Sequence, residues 1–318
     1  MKHRSLAVAV AALTTTLVTT AGLLGSGGSA RATFPAANGR IAFAANAGQG
    51  SEIYSIRSDG SGLRRLTHLR GAAVHPDWSP SGRRIAFALE RKDGSSQVMV
   101  MRADGRNVRD LTRSRSETQP AFTPDGRHLV FECDCGPQGV FMMQDDGLDR
   151  HRLTTHGFPR EADSDPNVSP DARTVTFVRH QVDGELQALF AVDLSGSHEQ
   201  QLVPYAREIG VKHDWAPDGR HILVTVDADY PGGRSPNVAT LRRGGSHLRM
   251  LTHYRGGRFG AFAGSYSPDG RWIVLRVENV ARKSYRLYKM HPDGRRSVLL
   301  ARLPFRPRHI DWGARSVS

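Results

Sequence analysis

The chain has 318 residues, 38% of them apolar, with 33 glycines, 17 prolines and a mean hydropathy of −0.44, the profile of a turn-rich globular protein. After the first thirty residues no run is apolar enough to cross a bilayer as a helix, which excludes a bundle of transmembrane helices there. The formal charge is +13, from 44 basic residues of which five are lysine, and it bears on solubility and anionic partners rather than on fold.

The chain opens with Lys2, His3 and Arg4, continues with an apolar run from Leu6 to Leu24, and then offers small residues, with Ala30 and Ala32 in an A-x-A arrangement. This pattern predicts a secretory signal peptide over residues 1–32, cut after Ala32; the alternative is a retained membrane anchor. No cysteine follows the run, so no lipid-attachment site is expected, and the mature chain is expected to lack a transmembrane segment and to be secreted or held in the cell envelope. Removing Lys2, Arg4 and Arg31 leaves +10. For an exported protein nucleic acid is not an expected partner. Anionic envelope polymers or lipid headgroups are, against the plainer alternative of an arginine-rich solvated surface with acids interspersed.

From residue 33 onward one unit recurs. Trp78-Ser79-Pro80-Ser81-Gly82-Arg83 returns at Phe122–Arg127, Val168–Arg173, Trp215–Arg220 and Tyr266–Arg271, with a degenerate first copy at Ala36–Arg40. The prolines Pro80, Pro124, Pro170, Pro217 and Pro268 are 44, 46, 47 and 51 residues apart, a period that signals a repeat architecture. Five residues beyond each proline an apolar pair alternates with period two, as in Ile85/Phe87 and Leu129/Phe131, which predicts a half-buried strand. A second apolar run follows, for example Val98–Met101, and ends at an Asp-Gly turn such as Asp104-Gly105, a hairpin signal. Seven residues past the central turn residue stands a leucine in every unit (Leu66, Leu111, Leu153, Leu202, Leu251, Leu300), marking another short strand. A last strand leads into the next motif.

Four antiparallel strands of four to six residues per 40–50 residues, with no helical stretch, predict an all-β, six-bladed propeller over residues 33–318. In the motif, proline presets the first corner of a type I turn and glycine takes the positive φ that follows. Ala172 replaces that glycine in one copy, where the turn is either strained or of another type. The first unit starts at its second strand, and Arg308–Trp312 resembles His75–Trp78 without its turn. Residues 307–312 are therefore expected to supply the innermost strand of the first blade and close the ring.

Cys133 and Cys135 are the sole cysteines. A local disulfide, free thiols and a pair of metal ligands are the readings open to them, in that order.

These motifs resemble the propeller repeats of the TolB family, which share the W-S-P-D-G-R-type turn, the I-x-F and I-Y strands and the D-G-x-x-x-x-x-L-T end. The resemblance covers Asn38 to Trp312 and implies the fold. TolB carries an α/β domain before its propeller that this sequence does not show, so the envelope-complex role of TolB is not carried over. Related propellers also stand beside the hydrolase domain of prolyl oligopeptidase-like enzymes, but no Gly-x-Ser-x-Gly elbow occurs here.

Repeated turns are scaffold, whereas binding residues concentrate on variable loops at the other face of the disc. Three residues before the bulky motif position the blades present His75, Gln119, Asp165, Lys212, Ala263 and His309. With His213 and Asp163 nearby, they form a candidate ligand-binding constellation at the channel mouth. Some six-bladed propeller lyases and lactonases hold a divalent metal there, so His75, Asp165 and His309 are the candidate metal ligands; a solvated polar lining is the favoured reading, with no cofactor and no catalytic residue assigned. Interblade loops carry Arg70, Arg160, Arg255, Arg258 and Arg308, interleaved with Phe158, Tyr205, Tyr254, Phe259 and Phe305, a composition suited to anionic sugars or a protein partner. Trp78, Trp215 and Trp312 are expected to wedge between blades. The resulting expectation is a monomeric, non-enzymatic binding or scaffold module for a protein or anionic glycan of the cell envelope; the alternative is a lyase or lactonase with a channel metal.

Overall fold

The computed structural model describes residues 36–316 apart from residues 47, 49, 114–115, 137, 156–160, 182–185, 206–208, 211, 229–234 and 280. The expected signal peptide lies outside the described residues. No helix among them is long and apolar enough to cross a membrane.

Twenty-four strands follow one another among the described residues. The first group is β1 (Asn38–Asn46), β2 (Ser51–Arg57) and β3 (Arg64–Arg65). Next come β4 (Ala72–Trp78), β5 (Arg84–Glu90), β6 (Ser96–Arg102) and β7 (Arg109–Asp110), then β8 (Glu117–Phe122), β9 (His128–Cys133), β10 (Gly139–Gln144) and β11 (His151–Arg152). The fourth group is β12 (Glu161–Val168), β13 (Thr174–Gln181), β14 (Gln187–Asp193) and β15 (Gln200–Gln201). The fifth is β16 (Asp214–Trp215), β17 (His221–Ala228), β18 (Ser235–Arg242) and β19 (Arg249–Met250). Last are β20 (Phe259–Tyr266), β21 (Ile273–Asn279), β22 (Ser284–Met290), β23 (Val298–Leu303) and β24 (Arg308–Ala314).

They form six four-stranded antiparallel sheets, the blades. Blade one is β24-β1-β2-β3, so the last strand of the chain pairs with the first, Ile41 opposite Trp312 and Ala42 opposite Asp311. The innermost strands β24, β4, β8, β12, β16 and β20 each touch the next, and β20 touches β24, which closes the ring. The outermost strands are shorter than the sequence predicts: two residues in five blades, six only in β23.

The repeated letters have identifiable work. In the Ser/Thr-Pro-Asp-Gly turns the hydroxyl accepts a hydrogen bond from the amide five residues on, Arg84 to Ser79, His128 to Thr123, Thr174 to Ser169 and Trp272 to Ser267, all at 2.9–3.1 Å. The same hydroxyl donates to the turn aspartate at 2.6 Å in Thr123–Asp125, Ser169–Asp171 and Ser267–Asp269. Ala172 takes φ 54°, left-handed like its glycine counterparts at 65–70°, so the turn is kept at a cost of about 1–2 kcal/mol. The threonine of each Leu-Thr pair accepts the amide that the short outer strand leaves unpaired: Ile53 to Thr67, Val98 to Thr112, Val140 to Thr154 and Val238 to Thr252.

Between blades lie apolar clusters holding Phe43, Phe87, Phe131 and Phe177, all fully buried, with the motif tryptophans wedged among them. At the closure Trp78 packs on the backbone of Gly313 so tightly that a Cβ there would lie 2.4 Å from the indole. The last strand therefore completes blade one and also floors the wedge of blade two. Deleting residues 304–318 is expected to abolish cooperative unfolding or drive the protein into the insoluble fraction; a truncated protein with an unchanged melting temperature contradicts closure by β24.

Candidate functional site

Just ahead of the motif the innermost strands slip register against their neighbours, between Val74 and Asp77, Thr118 and Ala121, and Ser164 and Asn167, and again on β24 between Arg308 and Asp311. At these bulges sit His75, Gln119, Asp165 and His309 with φ of 52°, 51°, 51° and 49°; Lys212, before β16, has φ 88°. A side chain with positive φ costs about 1–2 kcal/mol, and such strain concentrates where surrounding structure enforces it. In blade six the slip falls after Ala263, at Gly264 and Ser265, and Ala263 lacks positive φ. Five of the six expected positions thus share one conformation. They line a cavity of about 20 Å³ with Pro76, Pro120 and Pro166, room for about one water.

Three side chains of this constellation, His309, Gln119 and Asp165, accept from backbone amides of the following blade. His309 Nδ1 accepts from the His75 amide at 3.4 Å, and the two imidazoles stack with centroids 3.6 Å apart at 22°. Gln119 Oε1 accepts from the Asp165 amide. Asp165 Oδ2 accepts from the amides of Lys212 (2.5 Å) and His213 (3.1 Å). His213 Nδ1 lies 3.3 Å from that carboxylate, while its Nε2 is 2.8 Å from Thr176 Oγ1, so the ring is buried behind the channel wall. Asp163 does not join the set: its carboxylate pairs with buried Arg179 at 2.6 and 2.9 Å.

A second tier lies deeper, around a cavity of about 90 Å³ that reaches the motif turns. Asp311 accepts from the Trp78 amide (2.8 Å), Asp77 from Phe122 (2.8 Å), Asp214 from Tyr266 (2.7 Å) and Ser265 from Trp312 (2.7 Å). Asn167 donates to the His213 carbonyl at 3.1 Å and to Asp214 at 3.3 Å. Sequence reasoning passed over this tier, although the pair Asp-Trp recurs at Asp77-Trp78, Asp214-Trp215 and Asp311-Trp312.

Burial and these charges set the protonation states. Burial opposes the Lys212 ammonium, but Asp311, Asp165, Asp214 and Asp77 outweigh it and raise its pKa. Burial, then Asp311, pushes the Asp77 carboxyl well above the usual range. Burial lifts Asp214 to about 7 against the pull of Lys212. Burial would raise Asp165 too, yet His213, Lys212 and His75 hold it well below the ordinary value. Burial pushes His75 down to about 4 and, helped by His75, drives His309 well below its usual value. At neutral pH the mouth therefore holds two neutral imidazoles, one carboxylate and one ammonium.

Neutral imidazoles and a carboxylate are metal-ligand types, but their arrangement does not fit an ion. The imidazoles lie face to face, the carboxylate is engaged by two amides, and Lys212 brings a positive charge. Among the described residues, the one triple of such side chains with ligand atoms within 4.8 Å of one another is Glu117, Cys133 and Cys135, not His75, Asp165 and His309.

Around the mouth, Arg70 stands exposed between β3 and β4, Arg255 and Arg258 between β19 and β20, and Arg308 at the start of β24. These belong to blades two, six and one, which are adjacent. Arg160, and Phe158 with it, lies outside the described residues. The described loop aromatics pack at least partly within the protein. Phe305 packs on Tyr54 at 4.7 Å, Tyr254 and Phe259 pack against the core of blade six, and Tyr205 donates to Glu161 at 2.8 Å. Large apolar rings beside a blade edge gain more from covering the core than from standing in water.

Asp214 supplies a pH test. It holds its proton more tightly folded than unfolded, so its stabilising contribution is full below the ordinary carboxylate pKa and is lost as pH rises toward 7. The stability of the wild type relative to Asp214→Asn, from urea melts, is expected to fall between about pH 4 and 7 by up to about 1.4 kcal/mol per pH unit; a constant difference contradicts the assignment.

The family profile described as the TolB beta propeller domain matches residues 32–256. A Protein TolB homolog of Chlorobium luteolum is 30% identical over 141 residues, covering 43% of this chain and 31% of the relative; one from Chlorobium chlorochromatii is 30% identical over 145 residues, 44% and 31%. The matched stretch is thus about a third of the length of these curated relatives. Among solved structures, TolB from Acinetobacter baumannii superposes with a TM-score of 0.68 at 19% identity, covering 86% of this chain and 66% of that one. An oligogalacturonate lyase in complex with manganese gives 0.56 at 14% identity, 85% and 75%, a likeness of fold alone. With its turn motif, blade order and ring closure, the chain belongs to the TolB β-propeller family.

Proposed function

We propose that this propeller is an exported, monomeric, non-enzymatic binding module, and that its loop face around the channel mouth engages a protein or an anionic polymer of the cell envelope. The observation that carries this reading is the arc of exposed arginines on three adjacent blades, Arg308, Arg70, Arg255 and Arg258. Guanidinium groups on one arc of a rigid rim suit carboxylate or phosphate groups presented across a surface, through paired hydrogen bonds. The mouth itself supports a scaffold role, since Gln119, Asp165 and His309 each accept from a backbone amide of the next blade. Export rests on the signal pattern of residues 1–32.

Cell-envelope fractions passed over immobilised protein test the reading. Retention at low salt, lost at high salt and cut at least tenfold by Arg255→Glu/Arg258→Glu, is expected; retention indifferent to both contradicts it. The lyase reading, suggested by the shared fold of the manganese-bound oligogalacturonate lyase, predicts instead a stoichiometric divalent metal that His75→Ala/His309→Ala removes. Elemental analysis of the purified protein is expected to find no such metal.

A further inference from the structure

Blade three holds a cluster unrelated to the rim. Cys133, at the end of β9, is fully buried, Cys135 is exposed, and the two are joined in a disulfide with Cα atoms 5.4 Å apart. Arg150, in the loop between β10 and β11, reaches over both sulfurs: Nη2 lies 2.8 Å from Cys133 Sγ and also contacts Cys135 Sγ. Nη1 of the same guanidinium is 2.7 Å from the buried carboxylate of Glu117. The rings of Phe131 and Phe141 hold it in place, 5.3 and 5.0 Å away.

Three features set this pair apart from a structural crosslink. A disulfide that closes a loop of three residues restrains the unfolded chain little, and so contributes little stability by that route. One sulfur is open to attack while the other is enclosed. The enclosed sulfur has a cation at hydrogen-bond distance, which favours thiolate over thiol and makes it the better leaving group. Glu117, Cys133 and Cys135 could be read as metal ligands, but the guanidinium already supplies the positive charge among them, and a second cation would meet its repulsion.

We propose that Cys133–Cys135 is a redox-active pair that exchanges with small thiols or dithiols, with Arg150 as its positioning residue. An external thiolate attacks Cys135 Sγ and forms a mixed disulfide. The Cys133–Cys135 bond breaks, and its electron pair leaves on Cys133 Sγ, where Arg150 holds the thiolate. A second external thiol then attacks the mixed disulfide and releases Cys135. Two external thiols become one disulfide, and the protein pair is reduced by two electrons; run in reverse, the reduced pair reduces an external disulfide and closes again. The proton of the second external thiol passes to Cys135 as it leaves.

Full-chain protein treated with glutathione at pH 7 and quenched with a maleimide reagent at timed intervals tests this by mass. Reduction is expected to be at least tenfold slower in Arg150→Met, which keeps much of the packing on the phenylalanines, and largely restored in Arg150→Lys. Equal rates in the wild type and Arg150→Met, or free thiols throughout in air-oxidised protein, would overturn the proposal. Should Arg150→Met fail to fold, alkylation of reduced wild type against pH decides: a thiolate midpoint below the ordinary value of about 8.5 is expected, and one at or above it overturns the assignment.

Discussion

The propeller depends on hydrogen bonds made by the inner amides of its innermost strands. Each of these strands is the edge of a four-stranded sheet facing a narrow channel, where an unmet amide costs about 1–3 kcal/mol. The chain meets the problem with side chains from the preceding blade. His309 and Asp311 serve blade two, Asp77 blade three, Gln119 blade four, Asp165 blade five, Asp214 blade six and Ser265 blade one. Every junction has such a latch. Blade three has Ala121 where its neighbours carry Asp or Asn, and there the bulge residue Gln119 takes over. The latches run in one sense around the ring, so each blade's inner strand is positioned by the one before it.

This arrangement explains why the channel is polar and strained. At Gln119, Asp165 and His309 the positive φ goes with a side chain that accepts from an amide of the next blade. The acidic residues needed for latching would leave uncompensated charge in a confined space. Lys212 offsets part of it, and Asp77 keeps its proton because burial and Asp311 make a further anion too costly. Histidines held neutral by burial add none. Lys212, the raised Asp77 pKa and the neutral imidazoles thus limit the net negative charge in the channel.

The fold was legible because its signals are local. The hydroxyl, proline, aspartate and glycine of each turn act within five residues of one another, and the Leu-Thr pair acts within one blade, so each unit displays its own structure in its own letters. The channel positions were legible as positions, since they keep a fixed offset from the turn. Their role was not, because the amides that Gln119 and Asp165 serve are 46 and 47 residues away, and the one His309 serves is at the other end of the chain, at His75. The Asp-Trp tier was overlooked for a related reason: the tryptophan accounts for burial, and its neighbour's carboxylate has no local partner to reveal it. The loop aromatics look like a recognition surface in one dimension, yet Phe305 covers Tyr54 from 251 residues away.

In a ring of repeats, whatever all blades share is needed by all blades and belongs to the scaffold. Freedom to do something else lies in the departures. Blade six gives up the positive-φ side chain at Ala263 and extends its outer strand β23 to six residues, and the loop leading into its inner strand carries Arg255 and Arg258. Blade one borrows its inner strand from the chain's end and begins that strand with Arg308. Blade three replaces a latch aspartate with Ala121 and places a disulfide under Arg150 at the end of β9. Arg255, Arg258 and the cysteine pair make none of the latching amide contacts, and there a side chain can change without unseating the next blade. The arginine arc and the cysteine pair both lie there, carried by a frame whose closure does not depend on them.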